Sequence, residues 1–393
     1  MTMTSQSAAE NYLDVQKRSN DIFAEDWQII EKYYLKKLWH QLTLKLLEFV
    51  NKEAVFQSNV LIDGFYENFL SDFEHIINPL AMSELVLVIV KKMRSQADKQ
   101  DAIPGFVEKI RDKVLAKAKD GTVAVVLCNI ALATFYLEDR KDNPAARKLM
   151  EEAGSKLQEF DYVTPVHDRY FALTSAYHRT LGNHAEYYRE ALRYLGCTKL
   201  ENMPVEERRA WASTVAVAAL LGKGVYNFGE LLMHEVLTSL DGTEQSWLVQ
   251  LLYAFNKGDI AAFAQLRPRW SGQPDLAKQE QFLKQKVTLM CLIELAFKRP
   301  TTQRQIPFAE ISQATMVPVE EVEYLLMRAL SLDLIRGKIN EVDKLVHVTW
   351  VQPRVLDVNQ LASVQRKLTA WVTSAAAMEE MMRGSAGDGL MAV

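Results

Sequence analysis

Cysteine, proline and glycine are scarce, at 3, 11 and 16 of 393 residues. Cys128, Cys197 and Cys291 stand far apart with no Cys-x-x-Cys pair, so neither a disulfide framework nor a zinc site is indicated. That usage suits a reducing compartment such as cytoplasm or nucleus. Few Gly and Pro leave long stretches without a helix breaker. Long apolar runs are missing too. Runs such as Leu85 to Val90 are far too short to cross a bilayer, and the polar stretch Met1 to Glu10 lacks the apolar centre of a signal peptide. Nor does one sign of charge dominate: 46 Lys and Arg face 50 Asp and Glu, a formal net charge of −4. No global field attracts nucleic acid or an acidic membrane surface.

Catalytic constellations are lacking as well, and no cofactor is expected. His234-Glu235 opens like a metalloprotease motif, but position 238 is Thr where the second ligand would stand. His178 and His184 flank a turn at Gly182 and read as solvated turn histidines. Gly222, Gly224 and Gly229 mimic a nucleotide loop, yet no strand precedes them and Glu230 stands where Lys-Ser/Thr would follow. No Gly-x-Ser-x-Gly is present, and no cysteine has an obvious histidine partner. The chain reads as a non-enzyme.

What is present is helical periodicity. Trp27, Ile30, Tyr34 and Leu38 step by three and four, Leu42, Leu46 and Phe49 continue the pattern, and Phe65, Phe69 and Phe73 step by four. From Asn20 to about Arg299 only helices and short turns are expected. A repeat runs through this stretch. Ala131-Leu132 with Tyr136 returns as Ala172-Leu173 with Tyr177, and Leu181-Gly182-Asn183 returns as Leu221-Gly222-Lys223, with Lys257-Gly258-Asp259 following. Second helices of the hairpins are predicted over 145–160, 184–195, 226–240 and 260–266. The fold class is therefore mainly α: a TPR-like helix-hairpin solenoid over 21–299, after a disordered N-terminus over 1–20.

Beyond Arg299 the pattern changes. A polar linker over 300–305 leads to a short extended piece, Ile306-Pro307-Phe308, and a helix over 309–315. Pro318 opens a second helix, to about Leu332, with Val322, Leu325, Leu326, Ala329 and Leu330 inward. Residues 334–339 and 345–351 read as a β-hairpin, giving a winged helix over 300–356. Its recognition helix starts with Glu320, Glu321 and Glu323, which repel phosphate, so it suits protein better than DNA. A final helix is predicted over 357–383, ahead of a disordered tail over 384–393. Leu361, Val364, Leu368, Trp371, Ala375, Met378 and Met382 alternate steps of three and four, the seam of a coiled coil.

Helical repeats leading into a winged helix and a terminal helix resemble the PCI architecture shared by the proteasome lid, the COP9 signalosome and the translation initiation factor 3 complex. Local segments choose among them. Glu31-Lys32-Tyr33-Tyr34-Leu35-Lys36-Lys37-Leu38-Trp39-His40-Gln41-Leu42, Val225-Tyr226-Asn227-Phe228-Gly229-Glu230-Leu231-Leu232, Glu321-Val322-Glu323-Tyr324-Leu325-Leu326-Met327-Arg328-Ala329 and Val348-Thr349-Trp350-Val351-Gln352-Pro353-Arg354 resemble the non-ATPase regulatory subunit 13 family of proteasome lid subunits. That resemblance implies a non-catalytic scaffold that supports lid assembly and ubiquitin-dependent degradation. It implies PCI and MPN-domain neighbours and a nearby ubiquitin receptor. The hairpin residues Val346, Val348 and Trp350 are expected at winged-helix packing and the PCI–PCI contact, its unpaired edge extending a sheet across subunits. Leu361, Val364, Leu368, Trp371 and Met378 are expected in a shared helix bundle. A sister-complex scaffold, or less readily a winged-helix nucleic-acid binder, is the alternative.

Overall fold

The computed structural model describes residues 8–19, 23–52, 54–55, 64–115, 121–299, 304–353 and 358–390. The mainly α fold class holds: helices carry the chain, and the described residues form a single small sheet near the end. Two compact units result, residues 1–182 with 193–198, and residues 183–192 with 199–393.

The first unit begins with α1 (Ala8–Ser19), α2 (Ala24–Leu35) and α3 (Trp39–Val50). They close around aromatic rings that the sequence spaces at helical intervals. Trp27, Phe49, Phe65, Phe69 and Phe73 are fully buried, with Trp27 edge-on to Phe49 at 4.9 Å and Phe69 edge-on to Phe73 at 5.0 Å. Edge-to-face rings add to what their buried area contributes. Phe65–Leu70 winds as a π-helix, a wider turn on which the phenylalanines four apart stay on one side. Next come α4 (Pro79–Arg94), α5 (Ile103–Leu115), α6 (Thr122–Glu138), α7 (Asn143–Leu157) and α8 (His167–Thr180). Helix α6 is apolar nearly all round, and it packs on α4, α5, α7 and α8. The Asn78 and Asp142 side chains accept from Leu80 N and Ala145 N and so start α4 and α7, each followed by proline in the first turn.

Helix α9 (His184–Cys197) bridges the division in sequence. The second unit continues with α10 (Val205–Leu221), α11 (Ser246–Lys257), α12 (Ile260–Gln265) and the long α13 (Glu280–Lys298), which packs on α10, α11 and α12. Then follow β1 (Gln305–Pro307), α14 (Phe308–Thr315), α15 (Val319–Ser331), β2 (Ile335–Asn340) and β3 (Leu345–Val351). This is a winged helix whose sheet order is β1-β3-β2, both pairs antiparallel. Ile306, Phe308, Ile311, Val322, Leu326, Ala329, Ile335, Val346 and Val348 fill its core. Leu325 and Leu330 are half-buried. Helix α13 also packs on α14 and β3, so one helix ties the repeats of this unit to its winged helix. The last element is α16 (Val358–Leu390).

Several expectations are corrected. The N-terminus is not disordered over 8–19, because Ala9, Tyr12 and Leu13 of α1 are buried in the aromatic core; residues 1–7 and 20 lie outside the described residues. The terminal helix does not stop at 383 but reaches Leu390, and 391–393 lie outside the described residues. Residues 300–303 of the expected linker lie outside them too, while Gln305 belongs to β1. The helix predicted over 226–240 is broken. Gly229–Met233 is helical, His234 is extended (φ −81°, ψ 132°), and Glu235–Leu240 is a 3₁₀ helix. The His234 side chain accepts from Val236 N and restarts the turn, which periodicity cannot reveal.

Two of the repeat glycines serve different ends. Gly258 has φ +65°, and a Cβ there would sit 2.4 Å from the Cα of Cys291 on α13. Gly222 has an ordinary φ of −63°, but a Cβ would lie 2.9 Å from Ala218 O and 3.3 Å from Ala185 Cα. Gly182, at φ +72°, faces open space. Gly258→Ala is therefore expected to destabilise its unit by about 3 kcal/mol and Gly182→Ala by about 1 kcal/mol, from strain with and without a clash. Urea denaturation of the two variants side by side measures the difference.

Candidate interaction surfaces

Enzymatic chemistry needs an accessible reactive group, and the most perturbed side chain of the chain is sealed. Lys286 on α13 is buried, and its Nζ donates to Ala219 O at 2.8 Å, Leu220 O at 3.0 Å and Gly222 O at 2.9 Å. These oxygens belong to the end of α10, where helix carbonyls lack partners within the helix. A cation also suits the negative end of the helix dipole. The faces of Phe228, Tyr226 and Phe282 lie 5.2, 5.7 and 5.7 Å from the same nitrogen. Burial pushes the ammonium down to about 7 from its ordinary 10.5. The neutral amine that burial favours shares its N–H bonds among the three carbonyls. Enclosed by carbonyls and rings, Lys286 joins α13 to α10 and offers no approach for a substrate.

Among the described residues, no group of three or more His, Cys, Asp or Glu stands ready to hold a metal ion. His234 is occupied as a turn acceptor, and His167 Nδ1 faces the Thr164 hydroxyl at 2.8 Å. The cysteine thiols of Cys128, Cys197 and Cys291 are pushed up, first of all by burial, away from the reactive thiolate. The first unit holds a cavity of about 550 Å³ floored by Leu87, Val88, Ile130 and Leu173. Its rim charges answer one another: Arg94 binds Glu138 and Asp139 at 2.6 Å each, and Arg169 lies 3.8 Å from Glu84. Nothing in this arrangement singles out a ligand.

The hairpin residues sit differently from expectation. Val346 and Val348 point into the winged helix's own core and have no surface left for a neighbour. Trp350 stays half-exposed, with the Arg336 guanidinium 4.6 Å above its ring and that guanidinium held by Asp333 at 2.8 and 2.9 Å. Nor is β3 an open edge, because β1 pairs with it through Gln305↔His347, Ile306↔Val346 and Pro307↔Leu345. The expectation of a sheet extended along β3 is corrected: the short extended piece at Ile306-Pro307, whose pairing the sequence pattern did not reveal, occupies that edge as β1. The remaining long edge is β2. It carries a bulge at Arg336/Gly337 and the charges of Arg336 and Lys338, two devices that discourage strand addition.

Apolar side chains face solvent singly at several points, such as Leu35, Tyr162 and Met233, and in groups on two helices towards the end of the chain. On α16, every described side chain is exposed, among them Leu361, Val364, Leu368, Trp371 and Met378, with Trp371 at 77%. On α15, Tyr324 and Met327 face outward at 70% and 44%. The sequence marked the first through its heptad spacing and missed the second. In α15 only the inward stripe is periodic.

Lys286→Met would remove the Nζ donor from Ala219 O, Leu220 O and Gly222 O, of which Gly222 O keeps Val225 N at 3.4 Å, and is expected to cost on the order of 3–5 kcal/mol. With the folded-state value near 7 and the unfolded one near 10.5, the unfolded chain holds the extra proton between them. The contribution of Lys286 is therefore full above about 10.5 and falls away as the pH drops towards 7. The stability gap between the natural chain and Lys286→Met should narrow from pH 10 to pH 7, as denaturant titrations across that range will show.

Comparison with known proteins agrees with this geometry. The family model described as PSD13 N-terminal repeats matches residues 26–252, and the PCI domain model matches residues 263–350. The 26S proteasome non-ATPase regulatory subunit 13 homolog B of Arabidopsis thaliana is 35% identical over 370 residues, 93% of this chain and 95% of that protein. The 26S proteasome regulatory subunit RPN9 of Saccharomyces cerevisiae is 32% identical over 350 residues, 87% of this chain and 88% of that one. A more limited similarity, 28% over 167 residues, links it to eukaryotic translation initiation factor 3 subunit M of Coccidioides immitis, 42% of this chain and 35% of that protein. With its repeats, its winged helix and near full-length similarity to these subunits, the chain belongs to the proteasome non-ATPase regulatory subunit 13 family of PCI-domain proteins.

Proposed function

We propose that this chain is a non-catalytic structural subunit of the proteasome regulatory-particle lid, supporting lid assembly and thereby ubiquitin-dependent protein degradation. The observation that carries the reading is α16. Over its described side chains this 33-residue helix is exposed, with none buried, and its apolar seam faces solvent. An apolar helix of this kind reaches its full stability only when a second surface covers it. A bundle of helices from neighbouring subunits is the partner its a/d spacing suits. Leu361, Val364, Leu368, Trp371 and Met378 form the seam, and Trp371 is the largest side chain it presents.

The neighbours are PCI and MPN-domain subunits of the lid, with a ubiquitin receptor nearby, in cytoplasm and nucleus. Among the described residues no helix is long and apolar enough to cross a membrane. The winged helix contributes the PCI–PCI contact through surface other than Val346 and Val348, with Trp350 the hairpin residue still able to take part. The limited likeness to an initiation factor 3 subunit favours one alternative, a scaffold in a sister complex.

The test is affinity purification of the tagged chain from native extract, with and without residues 357–393, followed by mass spectrometry. Proteasome lid and base subunits are expected with the full chain and depleted with the truncation. Signalosome or initiation-factor subunits would assign the chain to a sister complex. Within the full chain, Trp371→Ala should reduce lid recovery severalfold, since truncating a buried aromatic anchor typically costs about 2 kcal/mol or more. The isolated chain's melting temperature should stay within about a degree, because the side chain is exposed there. An equal loss of both would place the helix in the chain's own core.

A further inference from the structure

The recognition helix α15 presents a second apolar surface, and its charge says what kind of partner covers it. Val322, Leu326 and Ala329 turn one side into the winged-helix core. The opposite side carries Glu320, Tyr324 and Met327, at spacings of four and three. Tyr324 is 70% exposed at the centre of that side, and Met316, equally exposed, lies just before the helix. A monomer gains nothing by holding a tyrosine ring and two thioethers in water, and clustered exposure of this kind marks a contact surface.

Three carboxylates frame the cluster. Glu320, Glu321 and Glu323 form no salt bridge among the described residues. The helix dipole accounts for acids in the first turn, Glu320 and Glu321. It does not account for Glu323 a turn further on, nor for the exposed ring beside it. The nearest cation on the helix, Arg328, is engaged with Gln285 Oε1 at 2.7 Å. The outer side of α15 thus combines apolar anchors with uncompensated negative charge.

We propose that the outer side of α15 is a docking surface for a basic, apolar segment of a neighbouring protein, which lays apolar side chains on Tyr324 and Met327 and sets Lys or Arg against Glu320 and Glu323. The carboxylates exclude a nucleic-acid backbone. A second copy of the same side would bring like charges together, so a heterologous partner fits. The surface is separate in sequence from the α16 seam, and the inference rests on the scaffold reading only in requiring a protein neighbour.

The experiment places the photo-cross-linking residue benzoylphenylalanine at position 324 of the full tagged chain, irradiates cells, and maps the cross-linked peptides by mass spectrometry. The expected product joins position 324 to a segment of another protein carrying Lys or Arg beside apolar residues. Its yield should fall at least tenfold in the Glu320→Lys/Glu323→Lys variant. It should be unchanged in Glu108→Lys, an exposed charge reversal in the other unit. Melting curves of both variants, matching the parent's, establish that the fold is intact. No cross-link, a cross-link to nucleic acid or to a second copy, a segment without basic residues, or a yield indifferent to the double reversal would each overturn the proposal. If the basic segment is captured but belongs to an assembly without lid subunits, the lid reading fails and this one stands. If lid subunits co-purify without the cross-link, the reverse holds.

Discussion

A lysine nitrogen withdrawn from water must find acceptors for its protons, and Lys286 finds them in the three carbonyls that close α10. Both ends of this contact have an unmet need. The end of α10 needs donors for its last carbonyls, and the buried lysine needs acceptors. Neither can be relieved by a small shift, because Gly222 sits against Ala218 and Ala185 and the rings of Tyr226, Phe228 and Phe282 close the remaining side. The position of α13 against α10 follows, and with it the position of everything α13 carries, including α14 and β3 of the winged helix. A packing contact between apolar side chains tolerates sliding more readily than a group with three directed bonds.

The first unit is organised by a different force. Its core is a run of aromatic rings and an almost wholly buried α6, with a few polar side chains such as Ser83, Asn129 and Ser175 buried among them. Burial of apolar area holds it, at about 25 cal/mol per Å² removed from water, and its charged pairs lie at the surface where they contribute little. The cavity of this unit belongs to that pattern, an apolar recess between helices whose rim charges are mutually paired.

What the protein presents outward is set by what its winged helix hides. By taking β1 onto β3, the module closes the edge that a neighbour's strand would otherwise extend, and the bulge at Gly337 bends the other edge. Gly337 is required there, since a Cβ would lie 2.2 Å from His347 O. With the sheet withdrawn, two helices of the second unit carry grouped exposed apolar side chains, and they differ in charge. The α16 seam is apolar along its length, whereas α15 is edged with acids. Two such surfaces on one chain can hold different partners at once without competing for them.

The spacing of apolar side chains determined by itself the mainly helical character of the chain, the helix–helix–hairpin order after residue 300 and the line that runs along the terminal helix, because those features depend on neighbours a few residues apart. The family segments around Tyr33, Phe228, Tyr324 and Trp350 were legible for the same local reason. Tertiary structure alone decided the rest, since it depends on contacts between residues far apart. Val346 and Val348 read as candidates for a contact until β1 and α13 packed against their strand. The N-terminal helix looked too polar to fold until Tyr12 and Leu13 met the rings of the first unit. Nothing in the spacing of the sequence singles out Lys286, and only a helix end 64 to 67 residues away makes it the fastening of α13 to α10. Local spacing carries no information about such a partner, because the free energy that selects it comes from removing both groups from water together.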